Sequence, residues 1–223
     1  MLILQNKYMD LDEEKEKLID YIKEIGYLKS KKIEEALRTI PRHLFVPKGI
    51  EHLAYRDTPL SIGHNQTISQ PSTVVIMTES LDVKEGQKIL EIGTGSGWQS
   101  AILSYLVGKK GFIYTIEIIP ELAEFAKSNL KKSNINNVEV FERDGSIGLK
   151  EKEPFDRIVV TAGCPDVPEH LLKQLKVDGI MVAPIGDIYL QEMFIIKKLK
   201  NKIEKKSIGK FMFVPLMGKY GFK

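Results

Sequence analysis

Two hydrophobic periods divide this chain, and the change falls near Gln87. Ahead of it, apolar residues recur at helical spacing. Leu18, Ile19, Ile22 and Ile25 share one face of a segment from Leu11 to Ile25, which Gly26 ends. Ser30 is placed to cap a second helix through Ile33, Ala36, Leu37 and Ile40, stopped by Pro41. Between Arg42 and Pro71 no period holds. Prolines at 47, 59 and 71 and glycines at 49 and 63 mark a loop-rich connection, of a length compact domains seldom carry without a function. Pro71 then opens a third helix through Val74, Val75, Met77 and Leu81.

Past Gln87, short apolar runs alternate with amphipathic stretches. The pattern predicts strands at Lys88–Ile92, Phe112–Ile118, Val138–Arg143, Arg157–Thr161 and Ile180–Pro184, with helices at Gly97–Leu106, Pro120–Ser133 and Pro168–Leu175. Such alternation implies a mostly parallel sheet with helices on both faces. The tail differs: Gln191–Leu199 and Phe211–Leu216 are joined through a polar turn around Lys200-Asn201, which predicts an antiparallel hairpin. The expected α/β architecture is one domain over residues 1–223. Residues 1–83 supply N-terminal helices and a loop, and 84–223 a seven-stranded, Rossmann-like sheet ending in the hairpin. Many S-adenosylmethionine-dependent methyltransferases have this layout. A two-halved dinucleotide dehydrogenase would continue with another helical crossover.

The turn after the first core strand reads Leu90-Glu91-Ile92-Gly93-Thr94-Gly95-Ser96-Gly97-Trp98. Strand, glycine turn and helix are the context in which a nucleotide-binding loop acquires meaning. Gly93, Gly95 and Gly97 let the backbone approach a ligand closely. Glu91 would repel a pyrophosphate at the helix N-terminus, whereas its charge suits a ligand with a cationic end. S-adenosyl-L-methionine, with its ammonium and sulfonium, is such a ligand. Glu117 ends the next strand, where an acid accepts ribose hydroxyls, although a strand-end acid is also at home in solvent. Asp144-Gly145 follows the third strand, as a site for the adenine amino group or as an ordinary turn.

The stretch Pro59-Leu60-Ser61-Ile62-Gly63-His64-Asn65-Gln66-Thr67-Ile68-Ser69-Gln70-Pro71 narrows the substrate. It closely resembles the signature loop of the protein-L-isoaspartate O-methyltransferase family. Similar stretches run along the chain: Pro41–Pro47, Glu91–Trp98, Pro120–Ala123, Pro154–Arg157 with Thr161-Ala162, Gln174-Leu175 and Phe213–Leu216. Two departures are mild: Lys176–Gly179 lacks a paired glycine, and Arg143 replaces one before Asp144. The resemblance implies methyl transfer from S-adenosyl-L-methionine to the free α-carboxylate of L-isoaspartyl residues in damaged proteins and peptides. S-adenosyl-L-homocysteine is then the product, and the ester closes to a succinimide without enzymatic help. It further implies that Ser69 is catalytic, and that Gln66, Thr67, Ile68, Glu91, the glycine loop, Glu117, Ile118, Asp144 and Gly145 contact the cofactor. Pro59, Ile62 and Val214 would face the peptide. Ser69 also suits a helix cap before Pro71, and Ile62 and Val214 suit core packing.

Composition excludes more than it adds. A net charge of +3 is too weak for a nucleic-acid partner without a clustered patch. The lysines at 197, 198, 200, 202, 205 and 206 read as the solvated face of the hairpin. His43, His52, His64 and His170 lack metal-ligand spacing, so no metal is expected. Cys164-Pro165 past the fourth strand raises a rival reading, the nucleophilic cysteine of cytosine-C5 methyltransferases, against a small buried thiol. One cysteine, no span of bilayer length and a Met1–Asp10 segment without a leader's layout give a cytoplasmic expectation. Abundant Lys, Glu and Ile with scarce Gln, His and Cys point to a hot environment. Thermal unfolding followed by circular dichroism is therefore expected to give a midpoint above about 65 °C, beyond the mesophilic cluster; one inside that cluster removes the inference.

Overall fold

The computed structural model describes residues 10–223; the leader reading of Met1–Asp10 lies, apart from Asp10, outside them. Helix α1 (Leu11–Glu24) starts at Asp10, whose carboxylate accepts the Asp12 and Glu13 N–H groups. Helix α2 (Lys31–Thr39) starts at Ser30, whose hydroxyl accepts from Ile33. Both N-caps satisfy donors that have no partner within the helix. Two short 3-10 turns follow, then the strands β1 (Leu60–Gly63) and β2 (Gln66–Ile68) and helix α3 (Pro71–Leu81).

The main sheet contains β3 (Lys88–Ile92), β4 (Phe112–Glu117), β5 (Val138–Glu142), β6 (Phe155–Val160), β7 (Leu175–Gly186), β8 (Gln191–Lys198) and β9 (Ile203–Phe211). Its spatial order is β5-β4-β3-β6-β7-β8-β9. The pairs from β5 to β7 are parallel, and β7-β8-β9 form an antiparallel meander. Helices α4 (Trp98–Val107), α5 (Pro120–Lys132) and α6 (Glu169–Gln174) make the crossovers. Successive strand residues point to opposite faces. Ile89, Ile113, Val159 and Val182 pack with Met77 and Leu81 of α3 and Leu103 of α4. Leu90, Ile92, Ile116, Ile158 and Val160 pack with Leu171 and Leu172 of α6. Leu18, Ile22, Ile33 and Leu37 from the N-terminal helices join Trp98, Ala101 and Ile102 of α4. The chain builds outward from β3 to β5, then returns to place β6 on the other side of β3. That reversal opens a crevice at the carboxyl ends of β3 and β6.

Three expectations need correction. The region read as loop contains the β1–β2 hairpin, with Leu60 opposite Ile68 and Ser61 opposite Thr67. His64 and Asn65 both take positive φ, 53° and 56°, as a two-residue hairpin turn of the twisted type demands. Strand β7 begins at Leu175 rather than Ile180: Phe155 pairs with Leu175 but Arg157 with Ile180, so residues 176–179 bulge out and hide the alternation. The last strand is Ile203–Phe211, not Phe211–Leu216. It is an exposed edge whose polar residues give no apolar alternation, while Phe213–Leu216 turns back toward the crevice, Pro215 bridging Gly163.

Lys205 and Lys206 lie on that edge, and the Lys205 ammonium sits 4.1 Å from the Phe194 ring centroid. Charge on an edge strand opposes pairing with another chain. Replacing both by valine is expected to cause concentration-dependent growth in light scattering; unchanged scattering would show that the edge is protected by other means.

Candidate active site

A cleft of about 830 Å³, measured with its open mouth, lies at the carboxyl ends of the parallel strands. Its lining gathers Gln66, Thr67, Ile68 and Ser69 from the hairpin link, Gly93, Thr94 and Gly95 from the glycine turn, and Glu117 and Ile118 after β4. Gly145, Thr161, Val214 and Met217 also line it. Glu117 is the lone carboxylate among the lining residues, which include no lysine or arginine.

The glycine turn is held from several sides. Gly93 and Thr94 donate to the Ile116 carbonyl (2.9 and 3.3 Å), and Asn129 Nδ2 donates to the Ser96 carbonyl (3.0 Å). Gly93 has φ +94°, and any Cβ there would run into the Thr161 hydroxyl. That hydroxyl lies 2.7 Å from the Gly93 carbonyl and 3.0 Å from that of Ile92. Gly97 lies outside the lining; its missing side chain lets the turn pack on Ala126 and Leu130 of α5.

Glu117 is buried, with one carboxylate oxygen accepting from Gly95 N–H (2.8 Å) and the other from Ile118 and Ile119 (2.9 and 3.1 Å). A carboxylate oxygen has room for a further donor, so this orientation leaves capacity for ligand hydroxyls. Glu91 sits differently. It is fully buried behind the turn, accepts from Ser100 through one oxygen while the other has no partner among the described residues, and does not line the cleft. Burial pushes its carboxyl up to about 7, the Ser100 and Thr115 hydroxyls opposing the shift and the charge of Glu117 adding to it. Direct contact with a ligand's cationic end is thus not what this geometry provides. Among the lining residues Gln99 carries a buried acceptor, Oε1, without a partner among the described residues. Thr78 donates to Val74 O (2.7 Å) and so can only accept from Gln99 Nε2 (2.9 Å), which fixes Oε1 as the unused atom.

Asp144 lies beside the cleft rather than in its lining. Its Oδ1 accepts from Ser146 N–H and hydroxyl (2.8 and 2.7 Å) and its Oδ2 from Lys219 N–H (2.8 Å). Partial burial opposes ionisation, but these bonds outweigh it and hold the carboxyl below its ordinary range. Gly145 does line the cleft, and a Cβ there would press on Ile92 and Ile116. Of the expected peptide-facing residues only Val214 lines the cleft; Ile62 is buried in the core near Gly95, and Pro59 is exposed.

Ser69 lies between β2 and α3, and its hydroxyl has no hydrogen bond to any described residue. It is not the cap of α3. Gln70 holds that position, and the Ser72 N–H is taken by Asp57 Oδ1 at 2.8 Å. Cys164 is 1 % exposed, and burial alone raises its thiol to about 12. It does not line the cleft either, so the nucleophilic-cysteine reading fails.

A family model for protein-L-isoaspartate(D-aspartate) O-methyltransferase matches residues 13–221. The chain belongs to this family. Among its protein-L-isoaspartate O-methyltransferase relatives, one from Hyperthermus butylicus is 46% identical over 95% of this chain and 91% of its own. A second, from Archaeoglobus fulgidus, is 48% identical over 96% of this chain and 98% of its own. A solved structure of a protein-L-isoaspartate O-methyltransferase superposes with TM-score 0.85 at 32% identity, covering 93% of this chain and 67% of that one. Another, from Plasmodium falciparum and in complex with S-adenosyl-L-homocysteine, gives TM-score 0.81 at 26% identity, over 90% and 97%.

For a protein-L-isoaspartate O-methyltransferase the cleft must accept a cofactor that is cationic and free of phosphate. The lining fits: a buried orphan acceptor at Gln99, a backbone-anchored carboxylate at Glu117, a close-approach turn at Gly93, and no basic side chain. Sequence reading did not single out Thr161, Gln99 or Met217. Thr161 lay in a stretch noted for resemblance, but only the strand pairing shows that it meets Gly93.

The Glu91 shift has a signed consequence. Because the folded-state value lies above the ordinary 4.5, the folded form binds the proton more tightly. Stability is full below about 4.5 and falls as pH rises toward about 7. Glu91→Gln keeps an acceptor for Ser100 and removes the charge. Its apo melting midpoint is expected to exceed that of wild type by roughly 5 °C at pH 8 and to match it near pH 5; parallel curves at both pH values would contradict this.

Proposed function

We propose that this chain transfers a methyl group from S-adenosyl-L-methionine to the free α-carboxylate of L-isoaspartyl residues in damaged proteins and peptides, with Ser69 aligning that carboxylate. The supporting observation is that Ser69, whose hydroxyl has no hydrogen-bond partner among the described residues, lines the same cleft as Gly93, Gly95 and Glu117. The cofactor supplies an electrophilic methyl on sulfur. Glu117 would accept from the ribose hydroxyls, Ile118 would offer an apolar surface to the base, and Gly145, steadied by Asp144, would let it approach. Gln66, Thr67 and Ile68 would close the side nearest Ser69, and Gln99 Oε1 would receive the ammonium.

The substrate carboxylate has an ordinary pKa near 4 and is already ionised at neutral pH, so no general base is needed. A carboxylate oxygen attacks the methyl carbon as the carbon–sulfur bond breaks, and the electron pair leaves with sulfur. What the protein contributes is alignment and exclusion of water. Ser69 can donate one hydrogen bond without neutralising the nucleophile. A lysine there would stabilise the ground state, and the lining contains none. Val214, with Met217 beside it in the lining, would meet the peptide near its main chain. Readout by side chain is then weak, as acceptance of isomerised sites in many sequences requires. Action in the cytoplasm belongs to the same reading, supported by the single, buried, unreactive thiol. No helix among the described residues is long and apolar enough to cross a membrane.

Tritium transfer from labelled cofactor is expected to an isoaspartyl peptide and not to its aspartyl twin. Ser69→Ala is expected to lose turnover by about 10²-fold, as misplacement of reacting groups does, with calorimetric affinity for S-adenosyl-L-homocysteine kept. Equal labelling of both peptides, or full turnover in the variant, would overturn the reading.

A further inference from the structure

The Ser69 link is restrained from both sides by residues that lie outside the cleft lining. Arg42 is entirely buried, and its guanidinium bonds to main-chain carbonyls. Nη1 donates to Ala54 O at 2.5 Å, and Nη2 lies 3.0 Å from Ser69 O, 3.2 Å from Thr58 O and 3.5 Å from Ile68 O. The guanidinium also sits 5.3 Å from the ring centroid of Trp98, a lining residue whose Nε1 donates to the end of α2 at Ile40. Asp57 holds the other flank: Oδ1 accepts from Ser72 N–H at 2.8 Å and Oδ2 from the Gln70 side chain at 3.0 Å. The Ser69 carbonyl is thereby fixed just after its Cα, and the residues at +1 and +3 are tied to one carboxylate.

We infer that Arg42 and Asp57 are positioning residues for Ser69: together they set the backbone from Ile68 to Ser72, and with it the direction in which the serine hydroxyl enters the cleft. This rests on the catalytic assignment of Ser69 made above. Carbonyls from residues 54–58 and 68–69 converge on one point, which a planar fork of donors can span and a single ammonium cannot. The serine hydroxyl has no bond to any described residue to hold its direction, so orientation must come from the main chain. Small misplacement of an aligning group is costly in rate even when the ligand still binds.

The test uses the full chain with Asp57→Ala, Asp57→Asn, Ser69→Ala and the Asp57→Ala/Ser69→Ala pair, each assayed below its own melting transition. Arg42→Lys, alone and with Ser69→Ala, is an independent second arm should alanine at 57 prevent folding. Asp57→Ala and Arg42→Lys are each expected to lower kcat at least tenfold, with affinity for S-adenosyl-L-homocysteine within twofold of wild type. Asp57→Asn should recover most of the rate. Its oxygen still accepts from Ser72, and its amide can donate to Gln70 once the Gln70 amide has turned. In the Ser69→Ala background neither change should slow the enzyme further. Wild-type kcat in Asp57→Ala and Arg42→Lys, an equal fold-loss in both serine backgrounds, or an effect confined to melting temperature overturns the positioning role. Full turnover in Ser69→Ala overturns the serine assignment first, and the positioning role with it, so the two failures are distinguishable.

Discussion

The crevice depends on one contact, between the Thr161 hydroxyl at the end of β6 and the carbonyls of Ile92 and Gly93 at the end of β3. These are the strands between which the chain reverses its order of building, so helices cannot cover their ends from both sides. Thr161 closes the gap at the level of the backbone, and its own N–H donates to Ile92 O at 2.9 Å. Such closeness is available only to a residue without a side chain, held at positive φ. With that tie in place, the turn through Gly95 takes its remaining hydrogen bonds from β4 and α5, and the Gly95 N–H is delivered to Glu117. Position of the acid and shape of the turn are thus one property.

Charge is distributed along the cleft with the same economy. The acid in the lining is held by main-chain N–H groups rather than by cations, which fixes its geometry without neutralising it. Arg42, a fully buried cation, spends its Nη donors on carbonyls and sets its guanidinium against a ring. Burial draws it down to about 10, against the pull of Asp57 and Tyr55, so it remains charged at neutral pH. One end of the cleft therefore favours cationic ligands. The other, toward the hairpin link, presents the neutral Gln66, Thr67 and Ser69 and no charged side chain.

Much of this was legible in the sequence where packing follows periodicity. Helices α1 to α5 and strands β3 to β6 obey their apolar spacing, because each buries one stripe or face in the clusters on either side of the sheet. Legibility failed where burial is not the organising force. The β1–β2 hairpin is too short for alternation to register, and its His64-Asn65 turn was the signal to weigh. Strand β9 is an exposed edge whose residues answer to solvent, so the apolar Phe213–Leu216 drew the assignment away from it. Among site residues, the carboxylate of Glu117 could be placed by its distance from the glycine turn. Glu91 could not: its side chain goes to the face opposite Leu90 and Ile92, toward Ser100, and only the pairing of β3 shows it. Arg42 and Asp57 act through carbonyls and N–H groups of residues far along the chain, contacts that leave no periodic trace.

Asp144 precedes Gly145, a dipeptide in which the following main-chain nitrogen, unshielded by a side chain, can turn on the acid's own carbonyl carbon and rearrange the linkage. Here both oxygens of that acid are clamped, one by Ser146 and the other by Lys219. The latter belongs to a tail in which Tyr220 stacks on His170 at 3.6 Å between ring centroids. Ageing at this spot would require the tail to lift first. An enzyme that mends worn peptide bonds thus holds one of its own two Asp-Gly joints shut with the chain's far end, while the other, Asp178-Gly179, has its acid exposed in the bulge of β7.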